Sequence, residues 1–483
     1  MRKTGSGSIS MLDGRSQPLD AIDAHLAALV EEVGLTGLSA AILQPGGKLV
    51  PLAYGVADAE RATPLDDATL VAGASLSKPV FAYLAVRLAA KGVFELDVPL
   101  QRQLDVPLAE LVGKGTVEID GPWDHITAEH VLSHTSGLPN LRAVMPDGKL
   151  GFLFPPGERF SYSSEGYALL QKVVERLSGD GLEALASREV FAPLSMDLSS
   201  YVRPSCDSGP CAVPHGVHGI PLRVTPKILT GSAEPRAGGS LWTTPSDYGR
   251  FLSAALGLSG PPAPPEMCRP RVSISTEAMF GPGAWRNGDA GNGIALAWTL
   301  GLGTFRTPLG RVYFHTGHAF GWQNYAVVFV ESGVGAVLMS NSDRFESAVP
   351  EILRATIGDE YSPAQWLGFG RPIEDVADRG EEDGDVKKAS RADAAPYVGR
   401  YRDGANRAVH VGIDSEGVTI GSGDRVWGHL DQETSDAFRV RGEALEIVFE
   451  RGPRGVVDRL EACLQGVTLK TLPRFEEAER PGE

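Results

Sequence analysis

Ser75 and Lys78 stand three residues apart in Ala74-Ser75-Leu76-Ser77-Lys78-Pro79, where an apolar segment of helical spacing begins. On a helix, positions three apart share a face, so the Lys78 amine can reach the Ser75 hydroxyl. A serine hydroxyl is a weak nucleophile at neutral pH and needs an adjacent base. A lysine serves as that base only when burial or neighbouring charge lowers its pKa. The start of a helix also offers backbone N–H groups and the positive end of its dipole to an oxyanion. Together these describe a nucleophile that forms a covalent acyl intermediate. A lone serine–lysine pair also arises by chance. Its weight here comes from two further strings, Tyr162-Ser163-Ser164 and His315-Thr316-Gly317.

The elements that must position these groups follow from periodicity. Leu19, Ile22, Leu26, Leu29 and Val30 predict a helix over 18–34. Strands are predicted over 38–43 and 48–55, around Pro45-Gly46-Gly47. A third apolar segment, 69–72, runs into Ser75, and the helix after it stops at Lys91-Gly92. The middle of the chain reads as helix and loop. Thr127 caps a short helix leading into Ser133-His134-Thr135-Ser136-Gly137-Leu138-Pro139, where His134 reads as a turn residue held by backbone hydrogen bonds. A helix over 165–177 follows the tyrosine string, with Glu165 in its first turn. Thr244-Pro245-Ser246-Asp247 caps another. Strands are predicted over 294–298, 312–315, 325–330 and 335–340, then a closing helix over 349–357. The N-terminal and C-terminal strands are expected to share one sheet, with the helical middle beside it. Residues 371–393 have the Asp, Glu, Arg, Gly and Lys-rich composition of a linker. Short alternating apolar runs over 394–475 predict a small all-β barrel or sandwich.

In order and spacing, Ser75-Leu76-Ser77-Lys78, Tyr162-Ser163-Ser164 and His315-Thr316-Gly317 resemble the motifs of the penicillin-binding-protein and class C β-lactamase superfamily of serine acyl-enzymes. The resemblance covers about residues 20–345. It implies an α/β (α+β) fold: a β-lactamase/transpeptidase-like catalytic domain over 1–370, a linker over 371–393, and a lipocalin-like β domain over 394–475. It also implies roles. Ser75 would be the nucleophile, Lys78 would take or relay its proton, and Tyr162 would be the second acid/base group. His315, Thr316 and Gly317 would wall the site. The backbone N–H groups of Ser75 and His318 would form the oxyanion hole. Ser164 would bind substrate, and Trp322, with Phe320, would line a pocket or simply pack in the core. No cofactor or metal is required.

The chain departs from the family pattern twice. The third motif often begins with lysine and here has His315, which removes a permanent positive charge. The second usually ends in asparagine and here has Ser164, a shorter group with one donor instead of two. Both departures argue against an efficient β-lactamase and suit peptidases, esterases and acyltransferases. A C-terminal lipocalin-like barrel accompanies D-aminopeptidases and the penicillin-binding-protein-type thioesterases that release and cyclise nonribosomal peptides. The expected substrates are therefore peptide-like amides, esters or thioesters, including D-residues, with a peptidyl carrier protein as the thioesterase's partner. A non-turnover sensor that stays acylated is the remaining alternative.

The chain has 483 residues and a formal net charge of -16. That length implies two or three domains, and the charge disfavours nucleic acid and anionic membrane surfaces. No apolar run is long enough to span a bilayer, and the N-terminal residues lack the apolar core of a secretory signal, so a cytoplasmic protein is expected. Cys206, Cys211, His215 and His218 are zinc-ligand types within one loop, but their spacing is unusual for zinc. A lid loop is the simpler reading.

Overall fold

The structure, a computed structural model, describes residues 7–113, 117, 121–141, 149–204, 211–216, 219, 221, 234–279, 293–370, 394–402, 408–414, 417–422, 425–432, 434–440, 445–464 and 467–475. The 371–393 segment read as a linker lies outside them, as do Cys206 and His218. The chain divides into two compact units, Met1–Gly370 and Arg371–Glu483.

The first unit is built on a nine-stranded sheet. Its order is Thr63–Pro64, Lys48–Asp58, Gly37–Gln44, Val334–Ser340, Trp322–Phe329, Gly310–Ala319, Gly303–Thr307, Ala297–Trp298 and Val272–Ser273. Strands from the two ends of the sequence meet at the centre, where Ala336 opposes Ile42 and Leu338 opposes Ala40. Successive side chains of a strand point to opposite faces, and both faces here are covered. Ala336 and Leu338 join one apolar cluster with Ile22, Leu26 and Ile352. Val337 and Met339 join the other with Tyr248, Phe251 and Leu252. This is why the central strands read as continuous apolar runs.

Helix Leu19–Val33 buries Ile22, Leu26 and Val30 and ends at Gly34 in the left-handed region, as its spacing predicts. Burying each such side chain is worth about 1.5–3 kcal/mol. Two elements differ from their sequence-based expectation. The closing helix runs Phe345–Ile357 with Pro350 inside it. Proline lacks the N–H that would bond the carbonyl four residues back, and the Gly370 N–H donates to the Glu346 carbonyl at 3.0 Å in its place. The strand predicted over 294–298 is reduced to Ala297–Trp298, because Ala295 adopts φ +50°. A left-handed alanine cannot continue a pleat.

The second unit is a closed barrel of eight antiparallel strands among the described residues. Its core includes Tyr397, Tyr401, Val409, Val411, Phe438 and Phe449. Tyr397 packs 4.8 Å from both Phe438 and Phe449, ring centre to ring centre.

Strand Gly310–Ala319 passes so close to the segment before Ser75 that a Cβ on Gly317 would lie 2.2 Å from the Gly73 carbonyl oxygen. Backbone has to move to relieve such a contact. Gly317→Ala should therefore lower stability by about 2 kcal/mol or more. Chemical denaturation checks this, and an unchanged midpoint would contradict the close approach.

Candidate active site

The backbone entering Ser75 is held in an unusual conformation. Ala74 ends strand Val71–Ala74 with φ +47°, a strained region for a residue with a side chain. Ser77 locks the bend: its hydroxyl donates to the Ala74 carbonyl at 2.5 Å and accepts from the Leu241 N–H at 2.9 Å. The Tyr201 hydroxyl donates to the Ser77 carbonyl at 2.7 Å. Ser75 thus lies just ahead of helix Ser77–Ala90. Lys78 lies in that helix's first turn, fully buried.

Lys78 Nζ lies 3.0 Å from Ser75 Oγ and donates to the Gly238 carbonyl at 2.8 Å. Burial lowers its pKa, Arg236 lowers it further by charge repulsion, and the result is about 7. A neutral amine donates to Gly238 and turns its lone pair to the serine O–H, the arrangement a general base needs.

Tyr162 completes this side of the site. Burial raises its phenol pKa, opposed by a hydrogen bond with Ser75. Lys78 Nζ sits 4.8 Å from the centre of its ring. His134 packs against the Tyr162 ring at 4.1 Å between ring centres. His134 adopts φ +57° and its Nδ1 accepts from the Ser163 N–H at 3.1 Å, so a backbone hydrogen bond holds it as the sequence suggests. Burial, then the charge of Lys78, keeps its pKa well below the ordinary value.

The structure brings His315 into the same cluster, 6.2 Å from Tyr162 between ring centres. Burial, then Lys78, lowers its pKa to about 3, against a hydrogen bond to the Thr316 carbonyl at 2.7 Å that raises it. It is therefore neutral at physiological pH and is not a substitute for the family lysine's charge. Thr316 is buried beside it. The His318 ring points elsewhere, to Glu346 at 2.9 Å. Packing works against its protonation, but Glu346 and Asp343 outweigh that and raise its pKa to about 9. Trp322 and Phe320 are both buried. Trp322 packs edge-on to Trp242 at 5.7 Å, which favours the core reading.

The hydrogen-bond partners of Lys78 Nζ are Ser75 and Gly238, not Ser164. The Ser164 N–H and hydroxyl both donate to Asn140 Oδ1, at 3.1 and 2.8 Å. The grip on Lys78 comes from Gly238 instead. Sequence reasoning also missed Asn324, whose amide donates to the Ala72 carbonyl at 3.1 Å and the Gly317 carbonyl at 3.2 Å. That side chain ties the third motif to the strand entering Ser75. Both ring nitrogens of His215 are engaged, Nε2 accepting from the Ala59 N–H at 3.1 Å and Nδ1 facing the Asn341 carbonyl at 3.1 Å. Its role is to pin its loop to the sheet. Among the described residues no group of three or more His, Cys, Asp or Glu side chains could hold a metal ion. No helix among them is long and apolar enough to cross a membrane.

The β-lactamase family model matches residues 22–357, and the chain belongs to that family. Penicillin-binding protein 4* of Bacillus subtilis (strain 168) is 23% identical over 470 residues, covering 89% of this chain and 94% of the relative. Esterase EstB of Burkholderia gladioli is 29% identical over 284 residues, covering 50% of this chain and 70% of its own. The octameric penicillin-binding protein homologue from Pyrococcus abyssi superimposes with a TM-score of 0.56 at 17% identity. That likeness covers 94% of this chain and 99% of the homologue, so the fold is shared along nearly the whole length.

If Lys78 is the base, acylation of Ser75 requires it neutral. Labelling by a fluorophosphonate probe should then rise about tenfold per pH unit below about pH 7 and level off above it. Arg236→Gln removes a cation that depresses the Lys78 pKa, so the midpoint should move to higher pH. A profile flat from pH 5.5 to 9 would remove Lys78 as the proton acceptor.

Proposed function

We propose that this member of the serine-hydrolase superfamily forms an acyl-enzyme on Ser75 from peptide-like amides, esters or thioesters. The observation that carries the reading is the Lys78 amine, fully buried and 3.0 Å from Ser75 Oγ. Ser75 Oγ attacks the acyl carbonyl carbon and passes its proton to Lys78. The tetrahedral oxyanion forms between the Ser75 and His318 backbone N–H groups; one such donor is worth about a hundredfold or more in rate. The bond to the leaving group then breaks, and Tyr162 conveys the proton to it. Water or an amine takes the acyl group by the reverse sequence. His315 and Thr316 shape the wall of the site, and neutral His315 itself offers no cation to a substrate carboxylate. That supports uncharged acyl centres over β-lactams. Kinship to a penicillin-binding protein and an esterase supports peptide and ester donors, including D-residues.

A second reading replaces water by an amine of the same chain, so that a carrier-borne peptidyl thioester in the cytoplasm is released as a ring. Its support is the dryness of the catalytic cluster: Lys78, Tyr162 and His315 are 0%, 5% and 1% exposed. Excluding water favours aminolysis when an amine is held in place.

Mixing the protein with a linear peptidyl thioester ending in a D-residue and weighing the product separates the two. The linear acid is the hydrolytic outcome, and a mass lower by one water is the cyclic one. Ser75→Ala should abolish both over many turnovers without changing the melting temperature. Tyr162→Phe should slow either by about a hundredfold or more. Turnover by Ser75→Ala would overturn the proposal, and a single acylation without release would point to a sensor.

A further inference from the structure

The Ser164 hydroxyl has one proton, and that proton goes to Asn140 Oδ1 at 2.8 Å. The orientation of the Asn140 amide is set by a second bond. A backbone N–H can only donate, so the atom 3.1 Å from the Ser164 nitrogen must be the carbonyl oxygen. The Asn140 NH2 group faces away from Ser164 with two donors, and among the described residues nothing in the chain accepts either of them. The side chain is half-buried, so part of its surface reaches solvent.

The loop is fastened where this matters. Ser163 Oγ donates to the Pro139 carbonyl at 2.8 Å, so consecutive residues of the tyrosine motif are bonded to consecutive residues, Pro139 and Asn140. Ser164 and the base both flank Gly238: a Cβ built on Gly238 would lie 3.8 Å from both Ser164 Cβ and Lys78 Nζ. The Asn140 carboxamide is thus mounted on the residue that stands where a side-chain amide is missing from the motif.

We propose that Asn140 is a specificity-determining residue whose NH2 donates to an amide carbonyl of the acyl donor, with Ser164 serving as its mount. The inference rests on the reading of Ser75 as nucleophile. It predicts selectivity for acyl groups that carry an amide next to the reacting carbonyl over simple acyl groups.

The test compares two activated esters, N-acetyl-D-alanine p-nitrophenyl ester and p-nitrophenyl acetate, which differ in that amide and one methyl group. Asn140→Asp keeps an acceptor for both Ser164 donors and removes the NH2 group, so it preserves the mount and deletes the proposed contact. Asn140→Asp and Asn140→Ala should each lose about tenfold in kcat/KM on the amide-bearing ester, mainly through KM. On p-nitrophenyl acetate the loss should be less than about twofold. Adding Ser164→Asn to Asn140→Ala should restore the preference. Equal losses on both esters, or wild-type selectivity in Asn140→Asp, would overturn the inference while leaving Ser75 chemistry intact. Hydrolysis of both esters that persists in Ser75→Ala would instead remove the reading beneath it, and the inference with it.

Discussion

The desolvation of one amine organises this site. A lysine exposed to water would be charged at neutral pH and useless as a base. Buried, it is expensive to charge, and its pKa falls toward neutrality. The fold sustains that state with modest means. The Gly238 carbonyl accepts one proton of the amine without bringing a formal charge that would restore its basicity. Arg236 adds repulsion. A carboxylate in either place would pair with Lys78 as an ammonium and shut the reaction down. The strained Ala74 and its locks on Ser77 then set the serine against this amine rather than beside it.

Around Lys78 the site is assembled from neutral rings. His134, Tyr162, Trp298 and His315 lie within ring-stacking distance of one another. Burial lowers the pKa of each histidine and raises that of the phenol, so each of these groups is held in its uncharged form. The cationic histidine of strand Gly310–Ala319 is His318, near its end and paired to Glu346. On this strand the charge is thus kept at the end, paired with a carboxylate.

The three motifs were legible because each packs its chemistry into neighbouring residues, and the sheet was legible because its strands are apolar on both faces. Alternation in the C-terminal region left a small all-β barrel or sandwich open, and the structure makes it a closed eight-stranded barrel. What escaped notice acts across long separations or through backbone. Gly238 contributes a carbonyl, which any residue possesses, to a lysine 160 positions away. Asn324 bonds a strand 252 positions away. Asn140 looks like a loop polar residue until Ser164 is seen to point at it. Ala295 breaks a strand for which its composition was suitable, and Pro350 sits within a helix where local rules place a boundary. In both cases a tertiary contact outweighs a local preference.

The Pro350 helix also bears on where the first folded unit ends. Its missing hydrogen bond is supplied by the N–H of Gly370, 20 positions downstream and past the short helix Ala364–Leu367. The residues after Ile357 therefore belong to the fold as much as the strands do. They act as a splint, closing a gap in a helix that covers the central sheet. A chain ended at the last long helix would leave a carbonyl without its donor and would take Trp366, Leu367 and Phe369 out of the core they complete.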